Sequence, residues 1–341
     1  MPKRVLPIFF LLFCTLPSIA QKKMELFKIP IPKERITNSL YNSIRLLDIR
    51  KDTADFGIVQ KGAFNRRAKV IAKPEMAVQL SNLVNVVADS SMQSGELLLL
   101  LRQCSFAEIM GTTNEKGYFN FRAILFSHEG TWYKKVASID TVMMVKAMDV
   151  TKKMFRHGSK IITDFITKHL SDHPTEDLSL AEDQLTDIDN VEKSILPLYT
   201  ANTLANGIYY NFHSFVNQQP DESEISLSFN KTGQIEHISH INNEGQMEKV
   251  KGKSVYAVIF QDRPYISTKY GYYPLLKRGN DFYFTGKASD YTNSDVVTAE
   301  IFFGILGGLI AQSATSVFEM KLDHLSGGFI RIKEISQEIS Q

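Results

Sequence analysis

Eight histidines, two cysteines and 37 acidic residues are the material for chemistry in this chain of 341 residues. His169 and His173 stand four apart, the helical spacing at which two imidazoles can clamp one metal ion. Asp172 and Pro174 place a helix end there, however, and the glutamate of a metalloprotease helix is missing. The pair therefore reads as helix-end histidines beside the last carbonyls. His237 and His240 are three apart in a strand-like run, which sets them on opposite faces. His128, His157, His213 and His324 stand singly, so the spacing nominates no metal ligand and no cofactor site.

The nucleophiles fare no better. Ser326-Gly327-Gly328 has glycine on one side only, where a nucleophile elbow needs it on both, and reads as a turn between Phe318–Leu322 and Phe329–Ile332. Cys104 lies in the apolar run Leu97–Phe106, where burial disfavours the thiolate. Gly304, Gly307 and Gly308 come without the lysine of a phosphate loop. Acids are plentiful, and a pair suited to glycoside hydrolysis is a matter of three-dimensional separation, which the sequence leaves open. The acids crowded between Ser171 and Glu192 lack the ligand alternation and glycine of a calcium loop and read as a solvated linker.

Tyrosines are the remaining candidates. Tyr209, Tyr210, Tyr265, Tyr272 and Tyr273 could form a binding face, since tyrosine couples rigid contact area to a polar tip. Cross-strand packing in a half-buried sheet is the competing account.

The elements that must position these residues divide at the acidic stretch. Before it, strands are expected at Ile44–Arg50 and Ala68–Ala72. A helix opened by Pro74 should bury Met76, Leu80, Leu83, Val84 and Val87. Leu97–Cys104 shows no alternation of apolar and polar residues, which predicts a central strand covered on both faces. Tyr118–Phe126 and Thr131–Ser138 pair across His128-Glu129-Gly130, and a helix follows from about Val150 to Leu170, bent at Gly158. Beyond Leu196, short apolar or aromatic runs separated by turn signals predict an antiparallel meander. Ile301–Ala311 breaks that pattern. At about eleven residues it is short of a membrane span, and it reads as a buried apolar helix, with membrane contact or a partner surface as alternatives. The fold class is thus α+β: a mixed sheet with two helices over 21–171, an acidic linker over 172–195, and a β-rich domain over 196–341.

Lys3 and Arg4, the apolar stretch Val5–Ile19, and small residues at Ser18 and Ala20 predict a signal peptide over residues 1–20. An exported protein, periplasmic or associated with the outer membrane, follows. Acylation at Cys14 is disfavoured by the bulky Phe13 before it. Without Lys3 and Arg4 the basic and acidic residues balance at 37 each (39 minus 2 against 37), so charge argues for neither nucleic acid nor an anionic membrane surface as partner. With Cys14 removed, Cys104 has no intrachain partner.

Two resemblances add to this. Gly207-Ile-Tyr-Tyr-Asn-Phe-His-Ser-Phe-Val-Asn-Gln-Gln-Pro220, followed by the strand Asp262-Arg-Pro-Tyr-Ile266, resembles uncharacterised secreted proteins of Bacteroidetes over about 204–333 and implies no activity. Leu47-Asp-Ile-Arg-Lys-Asp-Thr-Ala-Asp-Phe-Gly-Ile58 is similar to the D-x-R … G opening of auxiliary lipoproteins of ABC-type lipid transporters. The order of helix, Leu97–Cys104 strand with Glu108 nearby, and terminal helix is similar too, over about 44–170. This chain departs from that family in lacking an acylated cysteine, so the resemblance does not extend to direct membrane anchoring. The expectation from all of this is an envelope protein with a non-catalytic binding or assembly role, with an envelope or membrane-associated partner. The alternatives are a secreted hydrolase with dispersed acids and an accessory subunit of an envelope transport system.

Overall fold

The computed structural model describes residues 23–335 apart from 62–65, 90, 111–114, 176–177, 243, 251–254, 269 and 288–316. The expected signal peptide and the expected helix Ile301–Ala311 lie outside the described residues.

The first half is a mixed sheet. Its strands are β1 (Lys23–Phe27), β2 (Tyr41–Asp48), β3 (Gly57–Lys61), β4 (Arg66–Ala72), β5 (Gly95–Met110), β6 (Glu115–Glu129), β7 (Trp132–Ala147) and the short β8 (Ser179–Leu180). They run in the order β1-β4-β3-β5-β6-β7-β8, with β2 also paired to β5. β2 and β3 pair with β5 in parallel, whereas β5, β6 and β7 form an antiparallel meander.

β5 shows why its run of leucines carries no alternation. Leu97, Leu99 and Leu101 enter the main core, and Leu98 and Leu100 enter a second core on the opposite face. The main core is closed by α1 (Met76–Val87) and α2 (Val150–Lys168), whose apolar residues at three- and four-residue steps lie inward as their spacing predicts. Gly158 does not end or interrupt α2. A Cβ there would lie 2.8 Å from the rings of Phe106 and Phe119, so the glycine lets the helix sit directly on the sheet.

The acidic stretch is not free in solvent. It forms α3 (Glu182–Leu185) and α4 (Ile188–Lys193), and Leu180, Leu185 and Ile188 are buried against Leu98, Leu100, Ile124 and Phe126. Charge density suggested solvation. The few apolar residues, spaced to share a face, decide the outcome because burying each leucine or isoleucine is worth about 1.5–3 kcal/mol.

The second half begins with α5 (Pro197–Thr200), β9 (Gly207–Tyr209) and α6 (Phe212–Val216). Its further strands are all antiparallel and fall into three sheets. One is β10 (Ile225–Phe229), β11 (Ile235–Ile241) and β12 (Met247–Lys249). The second joins β9 to β13 (Ala257–Phe260), β14 (Arg263–Thr268) and β15 (Gly271–Pro274). The third is β16 (Leu276–Arg278), β17 (Asp281–Lys287), β18 (Val317–Leu322) and β19 (Phe329–Ile335). The expected turns hold: the side-chain carbonyls of Asn230 and Asn242 each accept backbone N–H groups two and four residues on.

The central sheet has apolar residues on both faces. Ile259, Ile266 and Tyr209 pack with Phe282, Phe284, Phe318 and Met320 of the third sheet. Ile208 and Val258 pack with Ile235 and Ile238 of the first. No helix among the described residues is long and apolar enough to cross a membrane.

Candidate functional site

Two features of the second half gather polar chemistry. The first is a set of ion pairs that links it to the sheet of the first half. Arg122 on β6 faces Asp140 on β7 at 2.8 Å and reaches Asp323, just past β18, at 2.6 Å. Asp323 is 4% exposed and also accepts from the Ser326 hydroxyl and the Leu325 N–H. Burial works against its charge, but the Arg122 guanidinium and these hydrogen bonds prevail and hold its pKa below the ordinary carboxylate value.

Beside it, Arg102 on β5 pairs with Asp189 and Glu192 of α4, and the second oxygen of Glu192 meets His324 Nε2 at 2.8 Å. Buried Lys193 reaches Asp281, the first residue of β17, at 2.7 Å. Tyr199 packs edge-on to His324, and its buried hydroxyl has no hydrogen-bond partner among the described residues.

Asp189, Glu192 and His324 place one ligand atom each within 4.8 Å of one another, a set chemically able to hold a divalent cation. The position is already served by a cation, because Arg102 spans both carboxylates. Sequence spacing could not have found this group, since Glu192 and His324 are 132 residues apart.

The second feature is an open cleft of about 680 Å³, within the size range of small-ligand sites. The turn Gly233–Ile235 before and into β11 forms one wall, and the corner Pro274–Lys277, where the chain leaves the central sheet for the third, forms another. Tyr265 and Tyr272 share one face of the central sheet: Tyr265 lies opposite Pro274 and Tyr272 opposite Ser267. Burial raises the Tyr272 pKa, so its hydroxyl is a neutral donor and acceptor at any physiological pH. Lys277 donates to the Tyr199 carbonyl at 2.8 Å, and Asp262 accepts the Leu204 N–H at 2.7 Å.

Of the five tyrosines read as a binding face, Tyr265, Tyr272 and Tyr273 line this cleft. Tyr209 is wholly buried in the core with its hydroxyl on the Ala205 carbonyl, and Tyr210 packs beside the smaller core under the first sheet. Three of the five thus line a cleft, and the other two serve packing.

His169 caps α2 and pairs with Asp172 at 2.6 Å, as a helix-end histidine should, while His237 and His240 lie on β11. Cys104 is buried in β5, and its thiol pKa is pushed up to about 12 by burial. Glu108 is buried with its carboxylate on the Gln60 N–H and the Thr151 hydroxyl, and burial raises its pKa.

No family model matches the chain, and no curated protein does. Among solved structures, a Xanthomonas campestris protein of family DUF330 is similar at 9% identity and a TM-score of 0.28, over 43% of this chain and 92% of that one. A second, described only as an uncharacterized protein, is similar at 10% identity and a TM-score of 0.23, over 44% and 97%. Likeness at this level leaves function to be reasoned from the chain's own geometry.

Proposed function

We propose that this is a non-catalytic binding or assembly protein of the cell envelope, with the tyrosine-lined cleft as its ligand seat. The observation that carries the reading is how the polar groups are divided. Asp189, Glu192 and Asp323, the carboxylates best suited to acid–base or metal chemistry, are engaged by Arg102 and Arg122 at the junction of the two halves, and His324 is held by Glu192. The open cleft is lined mainly by aromatic, aliphatic and amide side chains, with Asp262, Arg263 and Lys277 among them and no histidine or carboxylate pair among the described residues. Export rests on the basic, apolar and small-residue pattern over residues 1–20.

Two measurements test this. Fractionation of the native envelope should find the protein outside the cytoplasm. Retention in the cytosol would overturn the location, and release only by detergent would point to membrane contact through Ile301–Ala311. Assay of the full chain against broad hydrolase substrates should give no turnover; turnover lost on Glu192→Gln or His324→Gln would overturn the non-catalytic role.

A second reading, an accessory subunit of an envelope transport system, is favoured by one local arrangement. Arg50 forms a forked pair with Asp48, donates to the carbonyls of Asp55 and Cys104, and lies over the Phe56 ring just before Gly57. The D-x-R … G residues are thus one brace, joining β2, the loop before β3, and β5. Crosslinking in native membranes should then capture an integral membrane partner.

A further inference from the structure

The cleft's charged side chains are not equivalent. Asp262 is committed to the Leu204 N–H, and Lys277 to the Tyr199 carbonyl and the face of Phe282. Arg263 opens β14 directly after a turn in which Gln261 and Asp262 both take left-handed backbone angles. It is exposed at the cleft, and its side chain has no hydrogen-bond or ion-pair partner among the described residues. A guanidinium left unpaired beside aromatic rings is a ready fork for a carboxylate or phosphate. Two residues along the same strand, Tyr265 turns to the same side of the sheet, and Tyr272 stands diagonally across from it on β15. Rigid half-buried rings favour a flat apolar body over a flexible chain, because stacking area is gained with little ordering on either side.

We propose that the cleft binds a small amphipathic anion, its anionic group held by Arg263 and a planar body held against Tyr265 and Tyr272. This rests on the reading of the cleft as a ligand seat. Size agrees, since about 680 Å³ admits a molecule of two or three rings.

The test is calorimetric titration of the full chain with 2-naphthoate and with 2-naphthamide, which share a body and differ in charge. The carboxylate should bind about five-fold more tightly than the amide, in line with a partly solvated charge pair. Raising the salt should shrink that margin. Arg263→Gln should remove the margin while leaving amide binding and the melting temperature unchanged, and Arg263→Lys should retain part of it. Tyr272→Ala should weaken both ligands.

Equal affinity for the two probes on the unaltered chain would overturn the anionic class but leave the cleft a ligand seat. Decanoate binding as tightly as naphthoate would overturn the planar body. Binding of none of the three would overturn both this proposal and the binding reading beneath it.

Discussion

Asp323 and Arg122 show what a buried charge pair means for this chain, because both side chains are almost wholly enclosed. Replacing Arg122 by methionine leaves Asp323 without its cation in a dry site, and losses of about 3–5 kcal/mol are typical of that situation. The pH dependence follows from the direction of the shift. The folded-state pKa of Asp323 is depressed, so the stability it contributes is present above the unfolded carboxylate pKa of about 4 and is lost as pH falls through the lower folded value. Urea unfolding between pH 7 and pH 2 should therefore show a steep acid limb that Asp323→Asn flattens. An acid limb unchanged by that substitution would mean Arg122 does not stabilise the charged form. Cys104 makes the opposite point: with its thiol pKa pushed up to about 12, it should resist alkylation until the protein unfolds. That burial was legible, since Cys104 follows the apolar run Leu97–Leu101 on what reads as a central strand. The partner of Arg122 was not, because 201 residues separate it from Asp323.

At the scale of elements, periodicity did most of the work wherever one side of a helix or both faces of a strand are apolar. α1, α2 and β5 are such cases. Gly158 is instructive, because α2 runs through it without a break. Sequence shows a helix-weakening residue and suggests a bend, whereas the structure shows a helix pressed onto Phe106 and Phe119. The two accounts predict opposite signs for one substitution. If the glycine merely weakened the helix, Gly158→Ala would stabilise the protein by about 1 kcal/mol. With a Cβ at 2.8 Å from two rings, overpacking of about 1–3 kcal/mol opposes that gain. We expect a net loss in thermal or urea melts, and a rise in stability would return Gly158 to the status of a tolerated defect. The acidic helices α3 and α4 were misread on similar grounds: charge counts register the solvated face and overlook the buried Leu185 and Ile188. The three-sheet division of the second half was hidden too, since short strands of similar composition do not reveal where the chain turns a corner at Leu275.

For the whole molecule, the way the halves are joined matters most. The two apolar cores of the first half draw on residues up to Val191, and the two of the second half on residues from Leu196 onward, so no described cluster crosses between them. What crosses is polar: Arg122 to Asp323, Glu192 to His324 with Arg102 behind it, and Lys193 to Asp281. A junction of this kind is specific in geometry and brittle where an enclosed partner is lost, because an orphaned Asp323 or Lys193 charge is left desolvated. Arg102→Met and Arg122→Met together would remove the cations from two adjacent pairs. With about 3–5 kcal/mol for the enclosed Arg122 pair and a smaller loss for Arg102, whose partner Asp189 is half exposed, the sum is a large part of the roughly 5–15 kcal/mol that typically holds a domain folded. The chain offers a convenient probe in Trp132, its only tryptophan, at the start of β7 in the first half. In the unaltered protein, Trp132 fluorescence and far-ultraviolet circular dichroism should trace one urea transition. In the double variant the circular dichroism should split, one component following Trp132 and the other reporting the tyrosine-rich sheets at a different midpoint. Coincident transitions in the double variant would instead place the coupling in contacts other than these ion pairs.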